Sequence, residues 1–379
     1  MKGNLYILAV ACLALASCSN DETVATRHDP NEISFRPLID GTTRSTAGPK
    51  AGGTNFETGD VINVYADLYD ASANSHSKYF QADFTKQSTG GFTSVTKYYW
   101  PTFESGDKLT FTAIYGATQK DGTAGKIEAY SPATEAASQM DVMVAKKETT
   151  AKEPAVVLNF RHALSQIEVK VKNSDATLDF DITGVRIGYV STTGNFTYSG
   201  GATTTQEESG HTTAAQTLVP ASDWTPVAVT DANTNKYDQA STGTITSTQA
   251  ATTLTSFNSW LLIPQTQTAA TAYTAATQGT AASNPTLNGS YIALELEIYN
   301  YTGSTRSSKL VAKQWCYWPC AFTWTPGFKY TYTVDLAGGG YQPINTKSAA
   351  TTLDKVLGDV IVFSPDCSVD YWVTNDVTM

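Results

Sequence analysis

Short runs of alternating apolar and polar residues recur along the chain, with glycine and proline between them. Leu109, Phe111 and Ala113 share one side of the run at 108–115, and Ile167, Val169 and Val171 share one side of the run at 167–171. A period of two is that of a pleated strand with one buried face. The same alternation marks 182–190 and 290–299, and it is most regular at 330–336, which a Gly338-Gly339-Gly340 stop follows. Shorter strands are predicted at 33–35, 61–66, 140–145 and 156–160. Trp260-Leu261-Leu262-Ile263 reads as an apolar edge strand ended by Pro264. Residues 360–363 and 371–373 read as closing strands. Only 351–357 suggests a helix. The Thr/Ala/Gln/Gly/Ser stretches within 201–290, such as 266–283, read as long surface loops or insertions outside the core. Many short strands with glycine and proline turns predict an all-β protein of antiparallel sandwiches.

The chain has 379 residues, about two domains' worth. The charged segment Lys146-Lys147-Glu148-Thr149-Thr150-Ala151-Lys152-Glu153-Pro154 is the natural divider, giving one domain at 31–153 and a second, with insertions, at 154–379. Hydrophobic residues make up 41% and aromatics 11%, enough for real cores. Threonine, at 58 residues, favours pleated strands over helices. The charges, 25 basic against 35 acidic, give −10 with no basic run, which excludes an electrostatic footprint for nucleic acid.

The search for chemistry returns little. Four histidines argue against a His-built metal site. Asp179-Phe180-Asp181 could touch calcium but lacks the remaining oxygen ligands of a loop site. The chain has no nucleophile elbow, no zinc-protease helix and no phosphate loop. We expect no catalytic residues, no cofactor, no metal and no enzymatic activity. His162, between Phe160 and Leu164, reads as a core histidine with a satisfied hydrogen bond. Trp315, Trp318 and Trp324 read as core and rim; if exposed, they would stack on sugars.

The N-terminus carries an address. Lys2 precedes an apolar run of 12 residues at 5–16, the length of a signal peptide and too short to span a bilayer. Leu15-Ala16-Ser17-Cys18 resembles a bacterial lipobox. It predicts a signal peptide at 1–17, acylation of Cys18 and a tether at 18–30, with each buried CH₂ adding about 0.8 kcal/mol of membrane affinity. Cys12 leaves with the signal. Cys316, Cys320 and Cys367 remain, and their pairing is open. In an extended strand Cys316 and Cys320 stand about 13 Å apart, beyond disulfide reach.

Five motifs in order then carry a resemblance. They are Ile33-Ser34-Phe35 leading to Thr42-Thr43-Arg44; Phe56-Glu57-Thr58-Gly59-Asp60-Val61-Ile62-Asn63-Val64-Tyr65-Ala66; Leu158-Asn159-Phe160-Arg161-His162-Ala163-Leu164-Ser165-Gln166-Ile167; Leu261-Leu262-Ile263-Pro264-Gln265; and Pro326-Gly327-Phe328-Lys329-Tyr330-Thr331-Tyr332-Thr333-Val334. Behind a lipobox, this set resembles the Bacteroidetes fimbrillin family, the lipoprotein subunits and adhesins of type V pili. Asn63 stands where the family pattern has glycine. The resemblance implies two tandem transthyretin-like sandwiches and an outer-membrane lipoprotein at the cell surface. It implies cleavage after Arg44 by an arginine-specific protease, loss of the first strand, and assembly with other pilin subunits when a C-terminal strand fills the groove. Residues 201–290 and 315–324 are unusual bulk for a repeating stalk unit and suggest a tip or accessory subunit. The alternative is a surface lipoprotein that binds a glycan or host protein without polymerising.

Overall fold

The computed structural model describes residues 29–39, 56–88, 91–200, 202–204, 207–208, 211–212, 216–230, 234–270, 289–338 and 366–371. The expected signal peptide, Cys18, Arg44, the helix at 351–357, the strand at 360–363 and all but Tyr371 of the strand expected at 371–373 lie outside them. The first half contains β1 (Phe35–Ile39), β2 (Val61–Asp70), β3 (Ser75–Lys86), β4 (Phe92–Thr93), β5 (Lys108–Tyr115), β6 (Lys126–Tyr130), β7 (Met143–Thr149) and β8 (Val156–His162). Then follow β9 (Ser165–Lys172), β10 (Leu178–Gly188), β11 (Gly194–Thr197), β12 (Ala202–Thr204), β13 (Glu207–Glu208), β14 (His211–Thr212), β15 (Gln216–Leu218), β16 (Trp224–Pro226), β17 (Lys236–Ile245) and β18 (Thr252–Thr253). The chain continues with β19 (Trp260–Leu262), β20 (Thr266–Gln267), β21 (Tyr291–Thr302), β22 (Thr305–Pro319), β23 (Phe322–Thr323), β24 (Phe328–Asp335) and β25 (Asp366–Tyr371). The all-β expectation holds: among the described residues helix is confined to single 3₁₀ turns.

The first half differs from an open sandwich. Its strands close into a ring in the order β1-β4-β3-β2-β5-β7-β8, a barrel whose β1–β4 seam is, among the described residues, the single pair Phe35–Phe92. Inward residues fill it with aromatic side chains, Phe35, Phe84, Phe92, Phe111 and Phe160 all being fully buried. Closure needs β8, which lies beyond the divider expected at 153/154, and β7 runs through the charged segment itself. Lys146 and Glu148 stand on the outward positions of β7, so the first part of the charge run read as a divider is one solvated strand face.

The second half packs two sheets over one core. One has the order β17-β10-β21-β22. The other is built on β9, which pairs with β18, β19 and, in parallel, β24; β25 then pairs with β24. Ile182 and Ile187 of β10, Leu294 and Leu296 of β21, and Val169 of β9 and Val334 of β24 meet between the layers. The reading of the Thr/Ala/Gln/Gly/Ser stretches within 201–290 as loops outside the core fails for 236–257, whereas 271–283 lies outside the described residues and Trp260–Leu262 is the expected strand. The segment 236–260 supplies β17, and Tyr237, Ile245, Leu254, Phe257 and Trp260 all belong to the core.

The halves are joined by more than the peptide. β6 from the first half pairs with β11, and β11 with β16, so one small sheet belongs to both. Val142 and Val144, Ala163 and Leu164, and Phe196 and Trp224 share a separate apolar cluster at this junction. The Trp224 indole N–H donates to the Ala163 carbonyl at 2.6 Å.

Two motifs become intelligible as geometry. In Phe56-Glu57-Thr58-Gly59-Asp60 the Asp60 carboxylate accepts the Glu57 N–H at 2.7 Å, and Gly59 turns the chain at φ +95, a left-handed value that suits glycine. Phe56 thereby enters the barrel core, edge-on to Phe92, Tyr115 and Phe160. Asn63 donates to Asp83 at 2.6 Å and accepts from Gln81 and Gln119 at 3.2 Å each. Its side chain thus ties the segment around Gln119 to the barrel wall, work a glycine could not do.

Candidate functional site

The first strand is the piece of the barrel whose pairing is least symmetrical. β1 runs parallel to β8 along its full length, from Phe35 opposite Val156 to Ile39 opposite Phe160. On its other side, among the described residues, it meets β4 at Phe35 alone. Pro37 has no N–H to donate, which suits a strand bonded mainly on one side. The approach at the β4 end is tight: a Cβ on Gly91 would lie 1.9 Å from the Phe35 carbonyl oxygen.

Side chains hold β1 from within. Ile33 and Phe35 are buried. The Phe35 ring stands edge-on to Phe84 at 4.8 Å and to Phe111 at 5.1 Å between centroids. Truncating such a ring typically costs about 3–5 kcal/mol.

A second clamp precedes the strand. The Ile33 N–H donates to the Tyr98 carbonyl at 2.7 Å and the Trp100 N–H to the Asn31 carbonyl at 2.9 Å. Glu32, itself buried, meets the half-exposed Lys97 ammonium at 2.6 Å. Lys152 donates to the Asn31 side chain at 2.6 Å. The segment 31–39 is therefore held at two places: 31–33 against 97–100, and 35–39 against β8. Sequence reasoning missed the first of these. Its signal was an acidic residue placed just before an alternating strand.

Arg44 and Cys18 lie outside the described residues. Four residues separate Arg44 from the end of β1, so a cut there would leave β1 attached to the barrel only by non-covalent contacts.

The histidine motif sits at the passage from barrel to sandwich. His162 ends β8, and β9 begins three residues later in the other body. As expected, His162 is buried and bonded: its Nδ1 is hydrogen-bonded to the Asp141 carboxylate, which is also buried. Burial pushes the Asp141 carboxyl above the ordinary carboxylate range, and His162 opposes that shift. The pair fastens the β7 approach to the junction. Ser165 reinforces it by donating to the Thr325 carbonyl at 2.8 Å, and the Gly327 N–H donates to the Leu164 carbonyl at 2.8 Å.

The other candidates resolve structurally. Trp318 and Trp324 are buried in the sandwich core, and Trp315 is half-buried under the Arg186 guanidinium, 4.1 Å from its ring centre. Asp179 and Asp181 are both met by Arg306, at 3.5 and 2.7 Å, which answers the calcium reading with an internal cation. No group of metal-ligating side chains occurs among the described residues. Cys316 is a buried thiol whose pKa burial pushes up to about 12, chemically quiet at neutral pH. Cys367 lies opposite Tyr332 in the β24–β25 ladder.

Among solved structures, a fimbrial protein from Bacteroides vulgatus is 13% identical, with a TM-score of 0.46 over 90% of this chain and 100% of that one. Candidate cell adhesion proteins from Bacteroides ovatus (14% identity, TM-score 0.45, 91% and 99% covered) and Parabacteroides distasonis (8%, 0.48, 92% and 99%) are also similar. No curated protein matches the chain. The fimbrillin-like family matches residues 43–352, a span that takes in both the barrel from β2 onward and the sandwich through β24. The chain belongs to the fimbrillin-like family.

Proposed function

We propose that this chain is a structural or adhesive subunit of a type V-like pilus. It is made as a lipoprotein anchored through Cys18 at the outer membrane and displayed at the cell surface. It is cut after Arg44 by an arginine-specific protease, and it joins its neighbours by strand exchange. Its partners are other subunits of the same kind. The observation that carries the reading is the segment of β1: short, the first described strand, paired along its length with β8 and, among the described residues, at one position with β4, and yet placing Ile33 and Phe35 in the barrel core. Loss of such a strand leaves an apolar groove flanked by unpaired N–H and C=O groups. A strand from a neighbour fills it with main-chain hydrogen bonds and side-chain pockets. The contact is head-to-tail, so it propagates.

Treating the purified precursor with an arginine-specific protease tests this. The expected result is one early cut near Arg44 followed by SDS-resistant ladders on unboiled gels, both abolished by Arg44→Ala. No early cut and no ladder would favour the non-polymerising, ligand-binding alternative. Burial of Trp318 and Trp324 speaks against the glycan platform that alternative invoked. Residues 201–290 supply β17 and core, so that segment no longer argues for a tip subunit.

A further inference from the structure

A cleft of about 320 Å³ opens where the shared β6-β11-β16 sheet meets the β20–β23 pair. That is the low end of ligand-sized sites. β16 contributes Trp224 and Pro226, and the β20–β23 pair with its flanks contributes Gln265, Thr266, Gln267 and Trp324. None of the lining residues is an acid or a base. A charged ligand would lose its water there and gain no counter-charge, so the cleft suits a neutral one.

Its floor is apolar and its wall is polar. Trp224 and Trp324 are both buried. Their indole N–H groups are already used: Trp224 donates to the Ala163 carbonyl at 2.6 Å and Trp324 to the Tyr332 hydroxyl at 2.9 Å. What the two rings turn to the cleft is hydrocarbon. The Gln265 amide is full. Its Oε1 accepts from the Ser191 N–H at 2.6 Å and from the Gln267 Nε2 at 3.0 Å, and its Nε2 donates to the Ser191 and Ile263 carbonyls at 3.1 and 3.0 Å. Gln265 thus fixes the wall and leaves recognition to its neighbours. Gln267 keeps one N–H and its Oε1 without a bond among the described residues. The Trp324 N–H donates to the Gln265 carbonyl at 2.9 Å, so in the antiparallel β20–β23 ladder the N–H and C=O of Thr266 turn away from β23. At the mouth stands Val227, 53% exposed, one of five exposed large hydrophobics among the described residues.

We propose that this cleft binds a neutral saccharide of about one or two rings, with a C–H face toward Trp224 and Trp324 and hydroxyls on Gln267 and Thr266. A sugar ring carries both surfaces at once, and each hydroxyl can donate and accept. A hydrocarbon of the same size would leave the Gln267 amide and the Thr266 backbone unpaired. The cleft differs from an open tryptophan platform: Trp324 supplies floor, and the polar wall selects. The assignment gives the adhesive reading a ligand class. It does not depend on strand exchange, since no lining residue belongs to β1, β4 or β8.

The test is saturation-transfer NMR on the full mature chain. The probes are a panel of neutral hexoses, N-acetylhexosamines and their disaccharides, with N-acetylneuraminic acid and decaproline as counter-probes. At least one neutral sugar is expected to take saturation, strongest on its ring C–H protons, with a Kd of about 1 mM. Ala228→Trp, on the exposed rim, should abolish the signal while the melting curve stays that of the parent. Gln267→Leu should weaken binding by up to about 10-fold, the loss of one hydrogen bond. Tyr99→Ala, an exposed aromatic on the barrel, should change nothing. The assignment is overturned if no neutral sugar binds, if the signal survives Ala228→Trp, or if N-acetylneuraminic acid or decaproline binds in preference. Any of these leaves the removable first strand standing, and failure of the Arg44 cut leaves the cleft standing.

Discussion

The barrel and the sandwich are sealed in different ways. In the sandwich, β10 pairs with β17 on one side and with β21 on the other along most of its length, and the opposing sheet covers it face on. No central strand there can leave without opening two ladders and the shared core. In the barrel, β1 pairs fully on one side and, among the described residues, at one position on the other, and it precedes every other described strand. Equal burial thus coexists with unequal replaceability. What makes a strand exchangeable is the number of ladders it carries and where it lies in the chain, and the apolar area it covers matters less. The Asp141–His162 pair and the shared β6-β11-β16 sheet lie between the two halves and form no ladder pair with β1, although His162 is only two residues past the partner of Ile39, so the junction keeps its own bonds when the first strand is replaced.

The largest effects should expose this contrast most clearly. Phe35→Ala and Trp260→Ala should each cost about 3–5 kcal/mol in denaturant melts. Only Phe35→Ala should speed the loss of the 31–44 segment from protease-cut protein, as followed by mass spectrometry. His162→Ala should cost a similar amount, about 3–5 kcal/mol, because it strands the buried Asp141 carboxylate. It should loosen both halves together, visible as a lower single transition in calorimetry.

Lys97→Met should cost less, about 1 kcal/mol, since Lys97 is half-exposed and the pair is partly screened. Its loss should fall on the barrel, as faster release of the first strand. The smallest effect belongs to Glu128, which is exposed and held down at about 2 by Lys120 and Lys126. A carboxyl with a depressed pKa stabilises the fold above its unfolded value, near 4.5, and that contribution fades as pH falls toward 2. Glu128→Gln should therefore lower melting slightly at pH 7, leave it unchanged near pH 2, and so slightly flatten the acid limb of the stability profile.

The strands with clean alternation could be read directly. The runs at 108–115, 167–171 and 330–336 became β5, β9 and β24, because each buries one face and a period of two records that. β17 could not be read in this way. Lys236–Ile245 has Tyr237 and Ile245 as its apolar anchors, with threonine, serine and glycine between, and its place in the sheet comes from the ladder with β10. Barrel closure was equally hidden, since it pairs Phe35 with Val156, far along the chain, and no local pattern encodes such a partner. The same holds for the site: Ile33 and Phe35 announced a strand, but Lys97 and Trp100 join it only in the fold. His162 was recognised as a core residue, whereas Asp141 as its partner needed the structure.

Native-state hydrogen exchange on the uncut chain tests the replaceable first strand most directly. The account predicts that the amides of 31–39, and those of β8 that face them, exchange through an opening of lower free energy than the amides of β2, β5, β9, β10 and β21. That opening should be selectively eased by Lys97→Met. Exchange of 31–39 only together with β9, β10 and β21, in one global unfolding event, would contradict it.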